Sequence, residues 1–161
     1  IENFNDLSKE KIISKAFSYH SEGKFKEAAK YYQYFLDQGF VDAKVFANYG
    51  FVLKDLGQLE EAEVYMRKAI KIKPDFAELY SNLGIILKEI GKFKEAEFFT
   101  RRSIELKPSL AQAYGNLADI LLQIGKTKEA MLCTKKMLMI RPWSIKALHI
   151  LNHTCEIESS S

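Results

Sequence analysis

Apolar and small residues recur along this chain in short bursts of helical spacing. One burst is Phe46, Tyr49, Gly50 and Leu53, a second is Tyr80, Leu83, Gly84 and Leu87, and a third is Tyr114, Leu117, Ala118 and Leu121. The intervals i, i+3, i+4 and i+7 place each set on one side of an amphipathic helix. A glycine follows each burst, and Gly23, Gly57, Gly91 and Gly125 stand 34 residues apart with no gap to insert. Glycine accepts the left-handed conformation that commonly closes a helix, so each first helix is predicted to stop there and a second to start just beyond. Ala28, Ala62, Ala96 and Ala130 keep the same step inside the second helix, and Pro74, Pro108 and Pro142 end it, with Phe40 in the proline slot of the first unit. Proline cannot continue a helix and pushes its predecessor out of the α region. The pattern predicts four helix pairs, at 9–42, 43–76, 77–110 and 111–144, then a capping helix over 145–157 with Leu148, Leu151 and Cys155 in the slots of a fifth opening helix. Residues 1–158 are expected to form one array, and 158–161 a serine-rich tail.

A repeat of this length and layout resembles the tetratricopeptide repeat family over nearly the whole chain. The family pattern asks for a large residue at position 4, Leu at 7, Gly or Ala at 8, Ala at 20 and Pro at 32. The third unit supplies Tyr80, Leu83, Gly84, Ala96 and Pro108, but has Thr100 and Ser103 where an aromatic and an alanine are expected. The first unit departs most, with Lys15 in the leucine slot, as suits a terminal repeat. The expected fold is all-α, a right-handed superhelical solenoid of antiparallel helix pairs. Gly84 is expected to let the two helices of its unit approach closely, a larger residue overpacking the contact by roughly 1–3 kcal/mol.

Asn48, Asn82 and Asn116 all occupy position 6. At about 100° per residue that slot lies well away from the packing stripe, so the three amides are expected to face outward. Position 9, almost opposite the stripe, holds Phe17, Phe51 and Ile85 before turning to Asp119 in the fourth unit. A column of apolar residues away from the core marks a contact surface. The resemblance puts these slots on the inner, concave face of the array, together with Lys44, Glu78 and Gln112 at position 2. A carboxamide both donates and accepts, so it can hold a peptide backbone without reading its side chains. Adjacent stacked helices about 8–10 Å apart would spread three asparagines over roughly 20 Å, about six residues of extended chain. Long superhelical members of the family carry a similar Asn ladder, which Ser14 interrupts in the first unit here.

Composition narrows the alternatives. The chain is 47% hydrophobic and 28% charged, with 24 basic and 21 acidic residues and no basic block that would track phosphate, so no nucleic-acid partner is expected. No apolar run of about 18 residues is present to span a bilayer, and "IENFNDLSKE" lacks the features of a signal peptide, so a cytoplasmic protein with no membrane partner is expected. Ile1 in place of methionine and the closing "ESSS" are expected of a fragment of something longer. Cys133 and Cys155 suggest no disulfide framework. His149 and His153 have a metal-ligand spacing, but Cys155 falls on the opposite side of the helix, so no metal site and no cofactor is expected. His20 has no nucleophile placed beside it by the periodicity, and no glycine loop cradles phosphate, so no enzyme activity is expected.

Rival binding modes fare worse on the residues. The chaperone-tail clamp of some family members would require basic residues where this chain has Glu78 or Gln112, and Glu78 would repel a carboxylate. A helical-repeat RNA reader would need a basic groove, whereas Glu78, Glu89 and Asp119 mix into this one. The sequence therefore predicts a non-catalytic scaffold that binds an extended protein or peptide segment. A second reading has the array serving as a targeting or self-association module of a larger assembly, dimerising through terminal repeats if Tyr34, Phe35 or Phe40 lie on an end face. Trp143 and the aromatic run of the first unit are expected in core and junction packing, and charges such as Glu60, Lys94, Arg101 and Arg102 on a solvated outer face.

Overall fold

The computed structural model describes residues 7–159, with side chains described to residue 152. Among the described residues there are nine helices and no strand, and no helix is long and apolar enough to cross a membrane. The chain divides into two compact units, Ile1–Pro74 and Asp75–Ser161. The division falls next to the boundary between the second and third repeats.

The first unit holds α1 (Lys9–Ser21), α2 (Phe25–Asp37), α3 (Ala43–Asp55) and α4 (Leu59–Ile72). Ser8 caps α1 by accepting from the Lys11 N–H, and Asp42 caps α3 by accepting from the Val45 N–H at 3.0 Å. Such caps satisfy backbone donors that a helix start leaves open. Gly23 and Gly57 have φ of +72° and +79°, the left-handed geometry that turns the first helix of each pair back into the second. The core is aromatic: Tyr32 is fully buried, with Phe17 at 6.0 Å and Tyr49 at 5.8 Å between ring centres. Phe35 is also fully buried and packs on the half-buried Phe40 at 5.1 Å, with the Lys9 ammonium over both rings. The aromatic run of the first unit is thus packing, and Phe35 is not on an exposed end face.

The second unit holds α5 (Ala77–Ile90), α6 (Phe93–Leu106), α7 (Ala111–Gln123), α8 (Thr127–Ile140) and α9 (Ile145–Ser159). Lys107 and Arg141, each just before a proline, are extended with ψ of 84° and 85°, and the helices α6 and α8 end there. Leu83, Leu87, Ala96, Ala118, Leu121 and Ala130 are fully buried, as the sequence predicts for their slots, while Tyr80 and Tyr114 are half-buried and Ile86, outside the predicted slots, joins the core. Leu117, Ala118, Leu121 and Ala130 form one cluster closed by Ile150 of α9. The cap extends to Ser159, two residues beyond the predicted end. The side chains of His153 and Cys155, and residues 160–161 of the tail, lie outside the described residues.

One expectation changes. Trp143 is 84% exposed rather than packed at the repeat junction. It sits in the turn after Pro142, where the chain leaves α8 before α9 begins. The outer-face charges are also organised: Arg101 of α6 donates to Glu97 at 2.8 Å and to Glu129 of α8 at 2.7 Å, and the Lys126 ammonium donates to Glu97 at 3.1 Å.

Candidate functional site

The three position-6 amides sit in different surroundings. Asn82 on α5 is half-buried, and its side chain makes no hydrogen bond among the described residues. Ile85, one turn further along the same helix, is half-buried beside it in sequence register. Asn48 on α3 is half-buried. Asn116 on α7 departs from the outward expectation: it is 6% exposed, donates through Nδ2 to Ser81 Oγ at 2.9 Å and accepts at Oδ1 from Lys146 Nζ at 3.0 Å. Its two partners lie on the flanking first helices, α5 and α9, so its slot is covered from both sides.

The cover comes from the capping helix. Lys146 also pairs with Asp119 Oδ2 at 2.8 Å, and so ties two predicted site residues of α7 to α9. Gly115 makes room for it: a Cβ there would lie 3.3 Å from Lys146 Cε and 2.9 Å from Met137 Sδ. Sequence reasoning missed Lys146, whose only signal was its place at position 2 of the unfinished fifth unit.

The apolar column is half-buried rather than open. Phe17 leans on Tyr32, and the ammonium of Lys44 stands 4.8 Å over its ring, so these two predicted site residues meet in a cation–π contact. Phe51 and Ile85 are half-buried. Glu78 accepts from Lys107 at 2.6 Å, and that bond holds its carboxyl below the ordinary range. Gln112 is exposed.

His20 and Tyr32 form a further polar contact in the first unit. His20 Nδ1 lies 3.4 Å from the Tyr32 hydroxyl, a contact that joins α1 to α2. Burial lowers the His20 pKa, partly opposed by Asp55. Burial also raises the Tyr32 hydroxyl well above the ordinary range, opposed by Asn48, and pushes Tyr49 up to about 12. The core position of Tyr32 at a helix-contact slot was the available signal. In the second unit a 320 Å³ cleft opens beside Asp119, lined by Lys88, Leu122, Gln123, His149 and Ile150. Among the described residues no group of His, Cys, Asp and Glu is arranged to hold a metal ion.

These helix pairs, glycine turns and small contact residues define a helical-repeat protein. Models described as TPR repeat and tetratricopeptide repeat match residues 50–91 and residues 77–110 and 111–142, together more than half of the chain. The chain belongs to the tetratricopeptide repeat family. Solved structures of the same fold include MamA, at 22% identity and TM-score 0.79, over 89% of this chain and 84% of that one. YrrB, described as a TPR protein with an unusual peptide-binding site, matches at 23% identity and TM-score 0.81, over 90% and 75%. The first TPR of Spaghetti (RPAP3), solved with an HSP90 peptide, matches at 21% identity and TM-score 0.70, over 73% and 93%. No curated protein matches the sequence.

Proposed function

We propose that this chain is a non-catalytic protein-interaction module that captures an extended peptide segment along the first helices of its repeats, in the groove that the family pattern assigns to them. The observation that carries this is Asn82: a half-buried amide with donor and acceptor both unused among the described residues, beside Ile85. Asn48 offers a second amide at the equivalent slot, with Phe17, Phe51 and Lys44 around it in sequence register. Asn116 contributes by keeping Ser81 and Lys146 in place, and Glu78, Gln112 and Asp119 set the polar rim. Similarity to YrrB and to the Spaghetti domain, whose descriptions name bound peptides or a peptide-binding site, supports the class of ligand.

The test is capture of an immobilised random decapeptide library by the full chain. Asn48→Ala with Asn82→Ala is expected to leave the helical signal and unfolding midpoint near wild type. It should weaken capture by about tenfold, since two amide hydrogen bonds contribute roughly 0.5–1.5 kcal/mol each. Unchanged capture sinks the amide model.

A second reading, self-association, is favoured by the apolar surface around the α8–α9 turn, where Met139, Trp143 and Ile145 are each more than 70% exposed. Sedimentation at several concentrations separates the two. Association that Trp143→Ser abolishes would support the second reading, and a monomer at every concentration would remove it.

A further inference from the structure

The outward side of α8 carries lysines and apolar residues and no acid. At about 100° per residue, Lys128, Leu132, Lys135, Lys136 and Met139 fall within one arc of about 100°. They stand opposite Ala130, Thr134 and Met137, which are buried. All five are exposed, Leu132 at 62% and Met139 at 76%. None of the three lysines makes an ion pair among the described residues. Glu129, at the edge of the arc, already accepts from Arg101 of α6 at 2.7 Å. Trp143, the one tryptophan of the chain, is exposed in the turn just beyond the helix.

We propose that this face of α8, with Trp143, docks on the surface of an anionic lipid bilayer. It lies on a second helix, so it is separate from the peptide groove assigned to the first helices. Charge of one sign calls for a partner of the other. A protein would have to present carboxylates at fixed spacing, and lysine is depleted from the cores of protein interfaces. Lipid headgroups move laterally and gather beneath three lysines wherever these stand, as juxtamembrane basic clusters show. Nucleic acid would leave Leu132 and Met139, about 10 Å apart along the helix, facing phosphates. At a bilayer the two enter the acyl boundary, the lysine stems lie along it with their ammonium groups in the headgroups, and the indole sits at headgroup level. The expectation of no membrane partner rested on the lack of a spanning run, and a surface contact needs none.

The helix beside α8 widens the same surface. Phe98 of α6, 34 residues before Leu132, is 66% exposed, and the Arg101–Glu129 bond holds the two helices side by side. Glu105 of α6 is engaged by Arg102 at 2.9 Å. Three lysines and a few apolar side chains make a contact that is reversible and screened by salt rather than a permanent anchor.

The experiment is co-sedimentation of the full chain with phosphatidylcholine vesicles made with and without phosphatidylserine, read together with the fluorescence of Trp143. The chain is expected to bind the phosphatidylserine vesicles at low salt and to leave them at high salt, with a blue shift of the indole emission on binding. Replacing the three lysines together, as Lys128→Ser, Lys135→Ser and Lys136→Ser, should weaken binding by about a hundredfold. Leu132→Ser with Met139→Ser should weaken it by about tenfold. These side chains are exposed, so the helical signal of each variant should match the wild type. No binding to either vesicle, equal binding to both, or binding that survives loss of the lysines overturns the proposal. So does an emission shift that follows protein concentration without vesicle binding, which assigns Trp143 to a second copy. Binding to poly-glutamate but not to vesicles overturns it in favour of an acidic protein.

Discussion

Gly84 and Thr100 meet where the two helices of the third repeat cross. A Cβ on Gly84 would lie 2.1 Å from Thr100 Oγ1, and that buried hydroxyl has no hydrogen-bond partner among the described residues. The fourth repeat holds Ala118 and Thr134 at the equivalent positions, and there the hydroxyl turns back to donate to the Ala130 carbonyl at 2.9 Å. The hydroxyl of Thr100 occupies the space the glycine leaves and forgoes that bond. Threonine in a helix has two accessible rotamers because its oxygen can reach the carbonyl four residues earlier. Gly84→Ala is therefore expected to turn Thr100 onto the Ala96 carbonyl. Stability should stay within about 1 kcal/mol of wild type, helped by removal of a helix-interior glycine. In a Thr100→Val background both branches are methyls, and the same substitution should cost roughly 1–3 kcal/mol by overpacking. Urea unfolding of the four proteins of this cycle measures the coupling, and equal costs in both backgrounds would exclude it. The close approach of the helices was legible from the small residue at position 8. The tolerance of alanine was not, because it depends on which way a threonine hydroxyl turns.

Between elements, the charge cluster of α6 and α8 shows what periodicity leaves out. Glu97 is nearly covered, and its oxygens accept from Arg101 in the same helix and from Lys126, 29 residues on. The sequence marks these charges as belonging to outer faces. It does not say which of them meet, since that depends on how far one second helix is displaced along the next. Burial pushes the Glu97 carboxyl up, and the hydrogen bonds from Arg101 and Lys126 more than reverse this, leaving it below its ordinary 4.5. A lowered carboxylate pKa means the unfolded chain binds more protons in that window. The network's contribution is therefore complete above about pH 4.5 and lost as pH falls through the folded value of Glu97. Arg101→Ala is expected to lower the unfolding free energy near neutral pH by up to about 1 kcal/mol, given that the arginine is partly exposed. The difference should shrink at low pH and in high salt. A difference unchanged by either would assign the loss to packing of the arginine stem instead.

For the molecule as a whole, the 34-residue period foretold the number of helices, their turns and their buried slots, because each depends on local spacing. The period treats all repeats alike, however, and an array is not alike at its ends. Asn116 occupies the same slot as Asn82 but is buried, because the helix that follows it brings Lys146 over the amide. Repeat proteins draw stability from each unit and its nearest neighbours. The last helix should accordingly support only what it touches. Ile150 of α9 is 5% exposed and packs with Leu117, Ala118 and Leu121 of α7. Ile150→Ala is expected to cost about 2–5 kcal/mol of local stability, as for other deletions of buried aliphatic groups. Native-state hydrogen exchange should then show faster exchange over α7, α8 and α9 and unchanged rates over α1 and α2. Uniform acceleration along the chain would mean that the array unfolds as one cooperative body, and the nearest-neighbour account of its stability would fail.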